Sequence, residues 1–243
     1  MSILCNIANG CVDVFRLLFP KHCPVCMGHI DNESQLICTK CMVDAPFTNF
    51  ENLANNPVAE RVWNMIPIER GCSLLYYVHE GLWRNLAYEF KFRGQWHRAL
   101  VAGRMMGQIL AQSPLWAHID SVTAIPLHQA RTLSRGYNQS ELLAQGIAES
   151  MNIKYLRGVL KRNANTPPQR LAAKEQRWDN VKDAFSVARP ELLNGRHLLL
   201  VDDVFTTGAT MVSCGEAILR QVPDCHISVA TLFASKQEVG IKD

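Results

Sequence analysis

The sequence is short of charged residues, of cysteines and of long apolar runs, and each shortage disfavours a class of protein. Charged residues make up 19% and hydrophobic residues 48% of the 243 positions. This balance favours a folded chain over a disordered one, because an average soluble domain has about 25% charged residues. Nine cysteines are too few for a disulfide-stapled scaffold, and their odd number favours a reducing, cytoplasmic setting. No run reaches the roughly 18 apolar residues of a membrane span, so we do not expect an integral membrane protein.

The chain divides into four regions by composition. Residues 1–20 lack a basic start, which argues against a signal peptide, and carry apolar residues three and four positions apart, which predicts an amphipathic helix. Residues 21–48 are rich in cysteines and turn formers, and residues 49–75 are expected to form a linker. Residues 76–237 are expected to form the main domain, with short apolar runs between helical patterns at 122–126, 154–160, 197–201 and 227–233.

Strands that alternate with helices predict an α/β fold, Rossmann-like, with a mainly parallel sheet and right-handed crossovers. Ligands of such sheets bind beyond the carboxyl ends of the strands. Residues that follow the predicted strands are therefore the first candidates for a functional site.

Two C-x-x-C motifs lie in the cysteine-rich region. Each motif can present two thiolates to one metal ion, and two motifs complete a tetrahedral four-sulfur site without an open catalytic position. We favour a structural zinc ion, since few apolar residues between 21 and 47 are available to build a core. Two disulfides, an iron site of the same geometry and four free thiols are the alternatives. The candidate metal ligands are Cys23, Cys26, Cys38 and Cys41.

A buried strand that ends in two acids is the most informative segment of the main domain. Four aliphatic residues, 198–201, precede Asp202 and Asp203, and a turn rich in threonine and glycine follows at 206–210. The chain contains no G-x-x-x-x-G-K-[ST] sequence, so a P-loop nucleotide hydrolase is disfavoured. The carboxylates can accept hydrogen bonds from vicinal hydroxyls, and the glycine turn with the helix start after it can hold a phosphate. One loop could thus bind a sugar phosphate, whereas the alternative is a solvated strand-to-helix turn.

The segment 198–210 resembles the phosphoribosyl pyrophosphate (PRPP) motif of type I phosphoribosyltransferases. Over roughly residues 20–240 the chain is similar to the ComF/GntX family, the competence protein F-like proteins that join a four-cysteine zinc ribbon to such a domain. The other residues that carry the resemblance are Lys91–Gly94, Ile125–His128, Arg135–Gln139, Pro168, Gln169, Arg177, Asn180 and Val181.

The resemblance implies a PRPP site on the loop after the strand. Asp202 and Asp203 would hold the ribose hydroxyls, and residues 206–210 would wrap the 5′-phosphate. Mg²⁺ would enter with PRPP, since this ion keeps its waters and needs few protein ligands. No catalytic residue is assigned. The implied PRPP-binding residues are Asp202, Asp203, Thr206, Thr207, Gly208, Ala209 and Thr210.

A basic segment marks a candidate lid. The net charge of the whole chain is +3, but residues 154–177 contain seven cations and one acid. By resemblance, the loop in this segment would close over pyrophosphate, whereas a solvated basic loop is the alternative. The candidate residues for the pyrophosphate and the lid are Lys91, Arg135, Arg162, Gln169 and Arg170.

The resemblance implies a cytoplasmic, PRPP-binding protein that acts in natural transformation, and two roles remain open. It could transfer ribosyl phosphate to an acceptor that the sequence does not identify. Alternatively, it could bind single-stranded DNA without catalysis, with PRPP as a regulatory ligand. The expected partners are PRPP, single-stranded DNA and the DNA-uptake machinery at the inner membrane. Whether the chain is an enzyme is left open at this point.

Overall fold

The computed structural model describes residues 22–30, 35–77, 82–92, 96–127, 136–163, 184–237 and 239–240. The helix predicted over residues 1–20 lies outside these ranges. Within the described part of the chain, no helix is both long enough and apolar enough to span a membrane.

Within the described residues, a five-stranded sheet forms the centre of the fold, and every neighbouring pair of its strands is parallel. In spatial order its strands are β1 (Arg70–Tyr77), β7 (His226–Ser235), β6 (His197–Phe205), β2 (Ser121–Ala124) and β3 (Lys154–Tyr155), so the chain crosses over between most strands. The central strands β6 and β7 are buried along most of their length, as expected for a parallel sheet covered on both faces. The predicted α/β fold with a mainly parallel sheet is confirmed.

Two further strands form a separate antiparallel ribbon. β4 (Leu160–Arg162) pairs with β5 (Phe185–Val187), and Arg162 lies opposite Phe185. The ribbon connects the two ends of the segment that contains the candidate lid, of which residues 164–183 lie outside the described ranges.

Six α-helices lie in the described part of the chain, together with three single turns of 3₁₀ helix. In the helix Trp83–Phe92, the side chains of Leu86 and Ala87 are buried. The helices are α1 (Thr39–Val43), α2 (Pro57–Trp63), α3 (Trp83–Phe92), α4 (Trp96–Gln112), α5 (Gln139–Met151) and α6 (Ala209–Gln221); the 3₁₀ turns are Phe50–Asn52, Pro114–Trp116 and Pro190–Leu192.

Glycines allow α4 and α5 to pack with their backbones in close contact. A Cβ atom on Gly103 would lie 2.3 Å from the carbonyl oxygen of Leu143, and one on Gly146 would lie 2.4 Å from that of Leu100. Any side chain at these positions would push the helices apart. Because α5 also packs on β2 and β6, this contact sets where the first turn of α5 meets the sheet.

The stretch expected to be a linker, residues 49–75, contains α2 and most of β1 instead. Asn56 caps α2 by accepting from the amides of Val58 and Ala59 at 3.1 Å, and its side-chain amide donates to the Gly71 carbonyl at 2.8 Å. Val58 is fully buried. The polar composition that suggested a linker thus includes a helix cap that fixes the segment to the first strand.

The chain before this stretch also belongs to the sheet edge. The Tyr76 amide donates to the Pro46 carbonyl at 2.9 Å, and the Thr48 amide donates to the Leu74 carbonyl at 3.0 Å. These bonds place the last residues of the cysteine-rich region antiparallel beside β1, so that they cover one open edge of the sheet.

Candidate functional site

The four cysteines of the two C-x-x-C motifs converge on one point. The sulfur atoms of Cys23, Cys26, Cys38 and Cys41 all lie within 4.8 Å of one another. Those of Cys26 and Cys38 are 3.6 Å apart. Four sulfur atoms at this spacing suit a tetrahedral metal ion, and the cluster is consistent with a structural zinc site.

Backbone hydrogen bonds shape the first motif into a tight turn. The Cys23 amide donates to the Gly28 carbonyl at 2.7 Å, and the Met27 amide donates to the Cys23 carbonyl at 2.9 Å. Met27 adopts a left-handed conformation with φ of 62°, and the Gly28 amide donates to the sulfur of Cys26 at 3.4 Å. An amide directed at a sulfur atom stabilises thiolate, the form that binds metal.

The two most buried thiols of the cluster, Cys23 and Cys41, have pKa values shifted in opposite directions. Burial raises the pKa of Cys23, but amides of Cys26, Cys38 and Val25 overcome this effect and lower it to about 7. Burial and the neighbouring cysteines raise the pKa of Cys41 well above its usual range. Four thiols this close cannot all ionise without a cation, and a bound Zn²⁺ would remove that penalty.

The acids at the end of β6 lie at the open carboxyl edge of the sheet. Ala124, the last residue of β2, pairs with Val201, so β6 continues beyond β2 from Asp202 onward. Asp202 and Asp203 are both half-buried, whereas Leu198–Val201 are fully buried. This is the position at which the sequence predicts a ligand-binding site.

The loop after β6 turns sharply into α6. Gly208 has φ of 80°, a conformation that L side chains rarely adopt, and it immediately precedes the first residue of α6. The side chains of Thr206 and Thr207 are exposed, and the Thr207 hydroxyl accepts from the Ala209 amide at 3.4 Å. The amino end of a 13-residue helix therefore faces the same space as the exposed threonines and favours an anion there.

Asp202 is held by two hydrogen bonds on one oxygen. Its Oδ1 accepts from the Ser140 hydroxyl at 2.8 Å and from the Asp203 amide at 2.9 Å. Burial and the negative charge of Asp203 raise the pKa of Asp202 to about 7, although Ser140 and Arg162 act in the opposite direction. Near neutral pH this carboxyl can therefore gain or lose a proton as its surroundings change.

Arg162, a candidate lid residue, lies near these acids. Its guanidinium stacks over the Phe185 ring, 5.2 Å from the ring centroid, and its charge lowers the pKa of Asp202. β5, which carries Phe185, packs against α6. The base of the ribbon and the end of β6 therefore lie on the same side of the sheet.

Curated proteins of similar sequence carry names related to DNA uptake and use. DNA utilization protein YhgH of Escherichia coli K12 is 35% identical over 101 residues, which are 42% of this chain and 44% of that protein. Competence protein F of Haemophilus influenzae is 34% identical over 130 residues, 52% of this chain and 57% of that protein. Competence protein ComFC of Bacillus subtilis 168 is 27% identical over 111 residues, 46% of this chain and 43% of that protein.

The chain is a homologue of these proteins. The matched region spans about half the length of each of these relatives, and no family model matches the sequence. Among solved structures, the chain aligns with glutamine PRPP amidotransferase of B. subtilis at TM-score 0.41 and 20% identity, over 60% of this chain and 30% of that one. Adenine phosphoribosyltransferase of Saccharomyces cerevisiae aligns at TM-score 0.38 and 12% identity, over 62% of this chain and 75% of that one.

The structure describes only part of the predicted pyrophosphate and lid set. Arg162 is described and lies close to the acids, as above. Lys91 lies on α3, but its side chain falls outside the described part of the structure, as do Arg135, Gln169 and Arg170 in their entirety.

Sequence reasoning missed Ser140 as a site residue. Its hydroxyl contacts Asp202, which is 62 positions away in the chain. The only signal in the sequence is its position at the start of a helical pattern after a predicted strand.

Proposed function

We propose that this chain is a phosphoribosyltransferase-like protein that binds PRPP at the carboxyl end of β6 and acts in the cytoplasm in competence and DNA uptake. The observation that carries the proposal is the pair of acids at an open strand end, followed directly by a left-handed glycine turn and the start of α6. The names of the sequence relatives support the link to DNA uptake.

In this proposal the ribose and the 5′-phosphate of PRPP contact different groups of the protein. Asp202 and Asp203 accept hydrogen bonds from the ribose hydroxyls through their carboxylate oxygens. Residues 206–210 surround the 5′-phosphate with hydroxyls and backbone amides, and the dipole of α6 favours the negative charge. Mg²⁺ enters with PRPP on its pyrophosphate oxygens. Arg162 and the candidate residues Lys91, Arg135, Gln169 and Arg170 contact the pyrophosphate.

The zinc site has a separate, structural role in the proposal. Zn²⁺ bound by four thiolates has no open coordination position, so it cannot activate water or substrate. Its contribution is to hold the cysteine-rich region folded beside the edge of β1.

A double substitution tests the PRPP site. Asp202→Asn with Asp203→Asn should reduce the binding free energy of PRPP by about 3 to 6 kcal/mol, since two hydrogen bonds to charged groups are weakened. The measurement is isothermal titration calorimetry with PRPP and Mg²⁺. Glu191→Gln with Glu216→Gln removes two negative charges elsewhere and serves as the matched control. Unchanged affinity in the Asp202/Asp203 variant would reject the site.

Pyrophosphate release distinguishes transfer from binding alone. In a transfer, the bond from ribose C1 to the pyrophosphate oxygen breaks, the acceptor atom bonds to C1, and the acceptor's proton is lost to solvent or a base. We expect release only when the correct acceptor is present with PRPP and Mg²⁺. A panel of bases, amines and single-stranded DNA should be assayed; release with none of them favours the non-catalytic role.

Binding of single-stranded DNA is the second candidate function, favoured by the local excess of cations in residues 154–177 and by the names of the relatives. If about four phosphates are neutralised, the log affinity should fall with log salt at a slope of about −3. Reversing the charges of Arg162 and Arg170 should reduce both affinity and slope, in contrast to reversal at Arg220 on α6. Fluorescence anisotropy of a labelled oligonucleotide across a salt series measures this. No binding at about 50 mM salt would remove this candidate.

Partners in DNA uptake belong to the same proposal. A cytoplasmic protein that binds incoming single strands would act beside the DNA-uptake machinery at the inner membrane. Competition between PRPP and the oligonucleotide would place both ligands at the same edge of the sheet. Independent binding would place the DNA elsewhere, and the cysteine-rich region would then be the first surface to test.

A further inference from the structure

The first turn of α5 leaves one hydroxyl free of any capping role. Asn138 is the residue that caps this helix: its Oδ1 accepts from the Ser140 amide at 3.1 Å, and its side-chain amide donates to the Ile125 carbonyl at 3.1 Å. The amide of Ser140 is therefore satisfied by its neighbour, and the helix start is tied to the end of β2. The hydroxyl of Ser140 remains available for another partner.

That partner is the Oδ1 atom of Asp202. Ser140 is only 3% exposed, and its hydroxyl donates to Oδ1 at 2.8 Å, beside the Asp203 amide at 2.9 Å. Within the described ranges, no hydrogen bond reaches Oδ2 of the same carboxyl. The two oxygens are thus unlike: the protein already occupies Oδ1, and Oδ2 is the atom left for a ligand.

We propose that Ser140 is a positioning residue of the PRPP site, which fixes Oδ1 of Asp202 so that Oδ2 is presented to a ribose hydroxyl. The inference rests on the proposed PRPP-binding function and adds to it a residue from a different segment of the chain. Ser140 acts through Asp202 and does not itself contact the ligand. The chain Ile125–Asn138–Ser140–Asp202 then links the ends of β2 and β6 through hydrogen bonds.

The charges around Asp202 make its ionisation depend on pH, so the proposed role of Ser140 can be tested by measuring PRPP affinity at several pH values. Asp203 on the same strand disfavours the carboxylate, and Arg162 on β4 favours it. The thiol of Cys214 on α6 also interacts with this carboxyl. Burial raises the pKa of Cys214, and the negative charge of Asp202 raises it further. The Ser140 hydroxyl donates to Oδ1 and so stabilises the charged form. Its removal should raise the pKa of Asp202 further and reduce the carboxylate fraction near neutral pH.

The test is calorimetric titration of PRPP with Mg²⁺ at about pH 6, 7 and 8. Ser140→Ala should weaken binding about tenfold at neutral pH, the size expected for one hydrogen bond to a charged group. The deficit should shrink toward pH 8, where Asp202 ionises in both proteins. Ser140→Thr keeps the hydroxyl and should restore most of the affinity. Ser150→Ala, the same change at the other end of α5, should leave affinity and pH profile unchanged.

Three results would overturn the inference. If wild type binds PRPP and Ser140→Ala matches it in affinity and pH profile, Ser140 has no positioning role although the proposed function stands. A loss that is the same at every pH, is not rescued by threonine and accompanies a lower unfolding temperature indicates a structural role only. If wild-type protein does not bind PRPP, the proposed function itself fails and takes the inference with it.

Discussion

The cysteine module (residues 22–47) and the acidic loop (residues 202–210) are each encoded in a short stretch of sequence, but they are completed differently. The four thiols of the module all come from two motifs within residues 23–41, and their sulfur atoms lie within 4.8 Å of one another. The acidic loop, in contrast, obtains a hydrogen bond from Ser140 on α5 and a positive charge from Arg162 on β4.

The difference follows from what each site must do. A four-thiolate site is saturated by its own ligands, so local geometry is sufficient and the metal completes the fold. A ligand site must keep one set of atoms open, and the remaining atoms of the same groups must be held by the protein. Asp202 illustrates this division, because donors from two segments occupy Oδ1. Four substitutions test whether the two regions are as independent as this comparison suggests.

Loss of a cysteine ligand should have the largest effect. Cys38→Ser should abolish stoichiometric zinc binding and unfold residues 22–47, because the apparent binding energy of a structural zinc ion is about 10 kcal/mol or more. Elemental analysis measures the zinc, and near-ultraviolet circular dichroism follows the main domain, which should stay folded. Cys225→Ser, at a buried cysteine outside the cluster, should retain the metal. Absence of zinc from freshly purified wild type would contradict the assignment.

Moving α5 should damage the acidic loop and spare the cysteine module. Gly103→Ala places a Cβ 2.3 Å from the Leu143 carbonyl oxygen, and we expect destabilisation by about 3 kcal/mol, with loss of the Ser140 contact. Urea unfolding gives the stability, and zinc content should remain at one ion per chain. Gln108→Ala, on the exposed side of α4, should be nearly neutral. Zinc loss in Gly103→Ala would show that the two regions are coupled.

Neutralising one acid should stabilise the protein in a pH-dependent way. The pKa of Asp202 is raised to about 7 in the folded protein, whereas it is about 3.9 in the unfolded chain. The carboxylate therefore destabilises the fold once the pH exceeds about 3.9, and this penalty is complete above about pH 7. Asp202→Asn should therefore change the free energy of unfolding little at about pH 4 and raise it by about 1 to 3 kcal/mol at about pH 8. Urea unfolding at both pH values tests this, with Glu191→Gln as an exposed control. An equal increase in stability at both pH values would show that the charge of Asp202 is not the cause.

The contact between the cysteine module and α4 should have the smallest effect. Arg98 donates to the His22 carbonyl at 3.0 Å, and Arg98→Ala should loosen residues 22–30 by about 1 kcal/mol. Hydrogen exchange of those amides should rise while exchange in β6 stays unchanged. Arg104→Ala, which removes an ion pair with Glu149 on the exposed side of α4, is the control. Equal exchange in the two variants would show that Arg98 does not hold the module.

The sequence by itself determined the two motifs and the fold class. Thiol spacing identifies the cysteine cluster, and an aliphatic run followed by two acids identifies β6 and its open end, because both signals depend only on neighbouring residues. The short apolar runs likewise predicted β2 and β7 within a few residues of their observed positions. The helix expected directly after the glycine turn begins at Ala209.

The tertiary structure decided β1 and the partners of the acids. β1 carries a polar residue, Ser73, inside a buried run, and its hydroxyl is satisfied by Thr231 on β7, which lies 158 positions away. Sequence periodicity cannot report such a partner, so the linker predicted over residues 49–75 includes most of this strand. The role of Ser140 could not be predicted for the same reason. Whether its hydroxyl caps α5 or contacts Asp202 depends on how closely α5 approaches the sheet. The glycine contacts between α4 and α5 set that distance.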